Sequence, residues 1–279
     1  MKLNIVADSS INLFSLREEM KDVSFSTVPF IISVGTKDYV DDENIDVEVL
    51  MEDMVTNKAA SRTACPNTLL WYDEFKKEGD VIAITISSNL SGSINSALAA
   101  KQMVLAEEPN KKIGIIDSRS TGPAMELILD MINECMEKGM NAEEAADEIN
   151  AKILSIKTIF TLCSFDNLVK NGRMNKIAGF VAGKLHLWGV GIASDEGTIK
   201  IKGLAFGTKG VLKSIVEDIT NRLSDVSKVV IHHAKNIVTA TKVKDKILEA
   251  FPKVKVFLSE CRGLCSYYAE KNGLIVSYM

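Results

Sequence analysis

The sequence predicts an α/β protein of two α/β domains, the first with a mostly parallel sheet and the second with a mixed sheet. Short apolar runs alternate with helical patterns from the first residues onward, which is typical of βαβ units. The 279 residues, 46% of them hydrophobic and 25% charged, are enough for two ordinary domains with substantial cores. We place the domain boundary near residue 155, which gives domains of residues 1–155 and 156–279.

The first half is predicted from apolar periodicity, proline position and helix-capping patterns. Pro66 stands where a first-turn proline belongs, and Asn141 followed by Glu144 forms a capping-box pattern. In chain order the predicted elements are strand 2–7, helix 13–20, extended segment 25–34, helix 44–56, a helix opening at Pro66, strand 81–86, a helix ending near 106, strand 112–116, helix 122–138 and helix 141–154.

The second half begins again with a strand and contains a β-hairpin. The residues Ser194–Gly197 supply hairpin turn chemistry between two apolar segments. In chain order the predicted elements are strand 157–162, short helix 165–170, turn 171–173, helix 175–185, hairpin strands 188–193 and 198–203, helix 208–223, strand 228–232, helix 236–250, strand 253–258 and strand 274–278.

Composition excludes several classes of function. A net charge of −4 with no basic face argues against a nucleic-acid partner. No apolar run approaches the roughly 20 residues that span a bilayer, and the first strand is too short to serve as a signal peptide. We therefore expect a cytoplasmic protein. The five cysteines have no paired spacing, so we expect reduced, mostly packed thiols and no metal site.

The turn after the strand 81–86, residues 87–93, is rich in serine, and this serine turn predicts an anion-binding site. It contains Ser87, Ser88, Ser91, Gly92 and Ser93 and opens directly into a helix. Free backbone N–H groups and the positive end of the helix dipole converge at such a helix start. Capping needs one serine and this turn has four, which favours a functional role. No glycine-rich phosphate motif is present, so the predicted ligand is a single carboxylate or phosphate.

Three other loops carry polar groups at positions where α/β folds bind ligands. The segment Asp8–Ser10 is typical of a helix N-cap. The segment Ser61–Pro66, with Thr63 at its centre, either caps the next helix or donates to an anion. In Asn171–Arg173 the glycine permits a left-handed turn, and the arginine is either a solvated surface cation or an anion clamp.

Catalysis is not supported by the sequence. The chain has three histidines, none near a serine or cysteine in sequence, and no metal-ligand or dinucleotide motif. A Ser–His–Asp triad would require His232 or His233 to fold back onto the serine turn. A pair of histidines at the end of a strand is more often structural or solvated.

Five segments together resemble the DegV family in order and spacing over nearly the whole chain. They are Ile5–Ser10, Thr63–Pro66, Ile86–Ser93, Ile115–Ser118 and Asn171–Met174.

The resemblance implies two α/β domains with a fatty acid in a cleft between them, its carboxylate bound by hydroxyls of the first domain. It further implies a non-catalytic carrier, without a cofactor, that presents the carboxylate to the separate ATP-binding subunit of a fatty acid kinase. By motif, Thr63 and Ser91 correspond to the carboxylate-binding hydroxyls and Arg173 to the arginine of the turn. Ser88, Gly92 and Ser93 of the serine turn complete the expected site.

The sequence differs from the family pattern at three places. Ala64 and Cys65 replace two polar residues. A tyrosine, Tyr267 or Tyr268, occupies the place of a histidine near the head group, and we assign Tyr268 to the site. Gly207, with Lys209 nearby, stands where an arginine docks the kinase.

Two other functions compete with the lipid carrier. One is a hydrolase or transferase that acts on a small anionic ester through a serine of the 87–93 turn. The other is a partner-binding protein with a vestigial cleft.

Overall fold

The computed structural model describes residues 2–57, 61–175, 186–222 and 225–279. The strands of these residues are β1 Leu3–Asp8, β2 Val23–Val28, β3 Ile31–Val34, β4 Lys37–Val40, β5 Ser61–Ala64, β6 Asp80–Thr85, β7 Ile113–Asp117, β8 Lys157–Leu162, β9 Leu187–Ala193, β10 Ile199–Phe206, β11 Lys228–His233, β12 Lys255–Glu260 and β13 Leu274–Tyr278. The helices are α1 Val47–Thr56, α2 Thr68–Phe75, α3 Ser93–Glu107, α4 Pro123–Glu137, α5 Ala142–Lys152, α6 Asp166–Lys170, α7 Gly207–Arg222, α8 Ile237–Ala250 and α9 Gly263–Ala269.

The first half contains a parallel sheet with strand order β2-β1-β6-β7. Helices α4 and α5 contribute to the apolar cluster on one face, and α2 and α3 contribute to the cluster on the other. Burial on both faces explains the continuous apolar run of β6. The predicted mostly parallel sheet is confirmed.

A small antiparallel sheet with the order β4-β3-β5 accompanies the parallel one. The predicted extended segment 25–34 is divided between the two sheets, since β2 ends at Val28 and β3 begins at Ile31. Pro29 lies at the break, where the missing N–H of proline ends the hydrogen-bond ladder.

The second half contains a six-stranded mixed sheet with the order β10-β9-β8-β13-β11-β12. Only the β11–β12 pair is parallel among its five described strand pairs. Helices α7 and α8 pack into the apolar cluster on one face. The opposite face of β8 and β13 looks toward the first half, where it forms one wall of a cavity. The predicted mixed sheet is confirmed.

The predicted helix 13–20 is wrong. A short 3-10 turn, Ser9–Ile11, follows β1 and ends at Asn12, whose φ of 72° is left-handed. Residues 13–20 then form no helix. Leu13, Leu16 and Met20 still pack against the first core, so their helix-like spacing reflects burial of an irregular segment.

Two capping predictions have opposite outcomes. The capping box of α5 is confirmed, with Asn141 and Glu144 exchanging side-chain and backbone hydrogen bonds. Pro66 is not in the first turn of α2. The helix begins at Thr68, and the Asn67 side chain caps it by accepting from Leu70 N at 3.1 Å.

Three short elements were absent from the prediction, namely β4, β5 and α9. The predicted helix 175–185 lies almost entirely outside the described residues. None of the helices described is long and apolar enough to cross a membrane.

Candidate functional site

An apolar cavity lies between the serine turn of the first half and the mixed sheet of the second. Apolar side chains from the turn, β8, α9 and β13 form much of its lining, including Ile86, Leu90, Phe160, Leu162, Leu264 and Ile275.

A pair of hydroxyls stands beside this cavity. Thr63, on β5, hydrogen-bonds Tyr268, on α9, with 2.7 Å between Oγ1 and the phenol oxygen, and Tyr268 also lines the cavity. Burial raises the pKa of Tyr268, so its phenol is neutral and able to donate. The two hydroxyls carry two protons and share one hydrogen bond. One proton is therefore left for a ligand.

The neighbouring Tyr267 holds α9 in place without lining the cavity. Its hydroxyl donates to Ser61 Oγ at 2.7 Å and accepts from Asn171 Nδ2 at 2.9 Å. Its carbonyl accepts from Asn167 Nδ2 at 2.8 Å. These bonds join α9 to β5, to α6 and to the Asn-Gly-Arg turn.

Arg173 lines the cavity and is half-buried, so it is not a solvated surface cation. Gly172 precedes it with a φ of 70°, which confirms the left-handed turn. The guanidinium donates to the carbonyls of Leu90, at 3.1 Å, and Asn171. No ion pair of the described residues involves Arg173. Its positive charge is available to an anion.

Asp8 anchors the serine turn. Its carboxylate accepts from Ile86 N at 2.9 Å, Ser93 Oγ at 2.7 Å, and both the backbone N–H and the hydroxyl of Ser10. Burial raises the pKa of Asp8, while these hydrogen bonds oppose the shift. Asp8 caps the short 3-10 turn Ser9–Ile11, not the predicted helix 13–20, because that helix does not form. The hydrogen bonds that Asp8 accepts from Ile86 and Ser93 of the serine turn were not predicted.

The serines of the turn differ in burial and in hydrogen-bond partners. Ser93 is fully buried and uses its proton on Asp8, while Ser87 donates to Gly197 O at 2.7 Å. Ser88 is exposed. Ser91 Oγ accepts from Ser93 N at 3.2 Å, and its own proton has no acceptor among the described residues. Ser91 is half-buried next to Leu90, which lines the cavity, but Ser91 is not itself a lining residue.

Gly92 is the N-cap of the fifteen-residue helix α3 and brings no side chain to cap its first N–H groups. Because α3 begins at the turn, the positive end of its helix dipole lies there. A methyl group on Gly92 would lie 3.7 Å from the Cys65 sulfur. The serine turn thus lies beside the segment that carries Thr63.

A buried carboxylate positions α9. Asp41 Oδ2 accepts from Leu264 N at 3.0 Å and from Ser9 Oγ at 2.8 Å. Burial raises the pKa of Asp41 to about 6, although its hydrogen bonds and Arg262 oppose the shift. Sequence reasoning missed Asp41 because it lies in a loop with no motif.

His232 is structural, which is one of the two outcomes predicted for the histidine pair at the end of strand β11. His232 is fully buried, and its ring nitrogens contact Glu126 Oε1 at 2.6 Å and Asn12 Nδ2 at 2.8 Å. Burial raises the pKa of Glu126, but hydrogen bonds and charge from His232 and Arg17 outweigh it and lower the pKa overall. Among the described residues no histidine contacts Ser91. Within the part of the chain that the structure describes, the hydrolase hypothesis therefore finds no histidine base for Ser91.

Comparisons with known proteins match this chain over nearly its whole length. A sequence model of the DegV family, described as an uncharacterised protein family, matches residues 2–279. A DegV domain-containing protein of Streptococcus pyogenes is 35% identical over 278 residues, covering 100% of this chain and 99% of that protein.

Two solved structures are similar at 33% identity. One is the Fatty Acid Kinase (Fak) B3 protein of Streptococcus pneumoniae loaded with linoleic acid, with a TM-score of 0.94 and coverage of 100% of this chain and 99% of that one. The other is a DegV family protein of Eubacterium eligens loaded with heptadecanoic acid, with a TM-score of 0.92 and coverage of 99% of both chains.

Proposed function

This chain belongs to the DegV family, and from that premise we propose that it binds a long-chain fatty acid in the cavity and presents the carboxylate to a separate kinase subunit. The observation that carries the proposal is a largely apolar cavity whose lining includes a hydroxyl donor, Tyr268, and a cation, Arg173, that has no ion-pair partner among the described residues. Two similar proteins at 33% identity were solved with fatty acids bound. The chain itself performs no chemistry in this proposal.

The head group is held by donors and by positive charge. Thr63, Tyr268 and Ser91 supply hydroxyl protons, and the start of α3 supplies backbone dipoles. A carboxylate is very costly to bury without such partners, and hydrogen bonds to an ionised acceptor are about twice as strong as neutral ones. Arg173 adds compensating charge. Ser88, Gly92 and Ser93 shape the turn, with Ser93 acting through Asp8.

The acyl tail supplies the affinity. Each buried methylene contributes roughly 0.8 kcal/mol, so ten buried methylenes contribute on the order of 8 kcal/mol before the costs of association. In this proposal residues 1–155 provide the anion site, and residues 156–279 cover the acyl chain and add Arg173 and Tyr268 to the head-group site.

The kinase partnership is supported by the similarity to the Fak B3 protein. At the expected docking position this chain has Gly207, whose φ is 61° and around which a Cβ would meet no described atom within 4 Å. Lys209 is the nearby cation. Phosphorylation of protein-bound fatty acid by a purified kinase subunit and ATP tests this part of the proposal directly.

Native mass spectrometry of the freshly purified protein, followed by solvent extraction, tests lipid binding. We expect one fatty acid per chain in the wild type and none in Thr63→Ala/Ser91→Ala. The control is Thr56→Ala/Thr220→Ala, because both of these hydroxyls are exposed and bond only to their own helix. An empty wild-type protein that also takes up no added fatty acid contradicts the proposal. Lipid retained by the double variant contradicts the head-group assignment.

A further inference from the structure

Two glycines on β9 leave gaps in the face of the mixed sheet that borders the cavity. Gly191 is paired with Phe160 on β8, and Gly189 is paired with Leu162. Directly paired residues of antiparallel strands place their side chains on the same face of the sheet. Phe160 and Leu162 line the cavity, so β9 presents no side chain to this face at either glycine.

The missing side chains make room for two aromatic rings. A methyl group on Gly191 would lie 2.3 Å from Phe160 Cζ, and one on Gly189 would lie 2.1 Å from Phe165 Cε2. Carbon atoms in van der Waals contact are about 3.5–4.0 Å apart, so each ring occupies the space of the missing methyl group. Side chains of a strand usually stand roughly perpendicular to the sheet, whereas the ring of Phe160 leans across onto β9.

Neither glycine is required by the backbone conformation. The φ angles of Gly189 and Gly191 are not positive, so other residues could adopt the same conformation. A glycine inside a strand weakens the strand, because it adds no packing and loses more conformational freedom on folding. Space for the two rings is therefore the reason that the structure gives for glycine at these positions.

The ring of Phe160 is surrounded by packed groups except toward the cavity. Across the sheet, Ile275 on β13 is paired with Phe160, and Ile201 on β10 is paired with Gly191; both isoleucines pack in the same apolar cluster as the ring. The ring of Phe165 meets it edge-on, with 6.4 Å between centroids. Phe160 itself lines the cavity. If the ring lost its place over Gly191, it would turn into the cavity.

A ring turned into the cavity would take space from the acyl chain of a bound fatty acid. The atoms nearest to a methyl group on Gly191 are at the tip of the Phe160 side chain, so rotation of the ring relieves the overlap without a shift of the strand. A short acid can use the space that remains, whereas a long acid loses burial of some of its methylenes. The position of this one ring therefore affects long acids more than short ones.

We propose that Gly191 determines the length of acyl chain that this cavity accepts: with no side chain there, the ring of Phe160 lies over β9 and leaves room for long-chain rather than only medium-chain fatty acids. This inference rests on the proposed function. Gly191 is a positioning residue, because it acts on the ligand through Phe160.

The test measures the affinities of dodecanoic and hexadecanoic acids for the delipidated protein by displacement of a fluorescent fatty acid. In Gly191→Ala we expect the preference for hexadecanoic over dodecanoic acid to fall by at least about tenfold. Each buried methylene contributes a factor of about four to the affinity, so exclusion of about two methylenes accounts for this change.

Gly189→Ala is the matched control. It places the same methyl group against a ring from the same strand, but that ring, Phe165, is not among the described lining residues of the cavity. We expect both variants to be less stable than wild type and Gly189→Ala to keep the wild-type preference within about threefold.

Variants of Phe160 test whether the effect passes through its ring. In Phe160→Ala/Gly191→Ala the preference should equal that of Phe160→Ala alone, because no ring is left to displace. Phe160→Ala also tests the inference where Gly191→Ala does not fold. Removal of the ring enlarges the cavity, so the preference for eicosanoic over hexadecanoic acid should rise by at least about fourfold, the contribution of one methylene.

The outcomes separate this inference from the proposed function. An unchanged preference in Gly191→Ala overturns the inference, as does an equal change in Gly189→Ala or a further change when Gly191→Ala is added to Phe160→Ala. An unchanged preference in Phe160→Ala likewise overturns it. In each of these cases hexadecanoic acid still binds the wild type, so the carrier function stands. Failure of every acid to bind the wild type overturns both.

Discussion

Removing the hydroxyl of Tyr268 tests recognition of the carboxylate independently of burial of the acyl chain. Tyr268→Phe removes a hydroxyl that bonds Thr63 at 2.7 Å beside the cavity and leaves the aromatic ring in place. The substitution therefore preserves the apolar packing. It removes one donor from the proposed head-group site.

The expected loss of affinity follows from the type of hydrogen bond. A bond to a charged acceptor contributes about 1.5–3 kcal/mol, so the dissociation constant for a long-chain fatty acid should rise about 10- to 100-fold. In the ligand-free protein the same substitution removes one neutral bond to a half-buried threonine. The free energy of unfolding should therefore fall by only about 1 kcal/mol.

The adjacent tyrosine provides the matched control. Tyr267→Phe removes a hydroxyl with two partners, Ser61 and Asn171, but with no place on the cavity wall. Displacement titrations with a fluorescent fatty acid and urea titrations of the delipidated proteins give both quantities. We expect Tyr267→Phe to reduce the free energy of unfolding by about 1–3 kcal/mol and to leave the affinity within about threefold of wild type. Wild-type affinity in Tyr268→Phe, or an equal loss in both variants, refutes the assignment of Tyr268 to the head group.

Three further predictions concern stability, measured by denaturant titration. In Gly189→Ala the new carbon would lie 2.1 Å from a ring carbon of Phe165, so the free energy of unfolding should fall by about 1–3 kcal/mol. In the control Gly203→Ala no described atom lies within 4 Å of the new carbon, so the free energy of unfolding should be within about 0.5 kcal/mol of wild type. Equal losses in the two variants would contradict the steric explanation. The pKa of Asp41 is raised by burial from 3.8 to about 6, so between these values the native state holds a proton that the unfolded chain has lost. The free energy of unfolding should fall by up to about 1.4 kcal/mol per pH unit as pH rises through this window, about 3 kcal/mol in all; an identical pH profile in Asp41→Asn would contradict this assignment. Asp8→Asn places a donor where four donors converge and should reduce the free energy of unfolding by about 2–4 kcal/mol, whereas a loss below about 1 kcal/mol would show that Asp8 does not anchor the serine turn.

Elements with local signals were predicted well. Strands 157–162 and 274–278 agree with β8 and β13 residue for residue, because a buried strand shows as a short apolar run between turn residues. The capping box of α5 is likewise contained within four residues. The failed helix 13–20 shows the limit of this reasoning. Spacing of apolar residues reports which side chains are buried, and an irregular segment can bury the same ones.

Short elements stabilised by distant partners were missed. β5 has only four residues, and its register with β3 pairs Thr63 with Ile32. The seven-residue helix α9 is held by Asp41, more than 200 positions away in sequence. Neither leaves a periodic pattern long enough to detect, since tertiary contacts outweigh local propensity over such lengths.

The α/β class, the two kinds of sheet, the family and the residue types of the predicted anion site follow from the amino-acid sequence. Which hydroxyls of that predicted site keep a free proton follows from the folded structure. Ser93 and Ser91 look alike in sequence, yet Ser93 donates to Asp8 from 85 positions away while Ser91 keeps its proton. Thr63 and Tyr268 come together across 205 positions. A hydroxyl has one proton, and whether the protein or a ligand receives it depends on neighbours that only the folded chain brings within hydrogen-bonding distance.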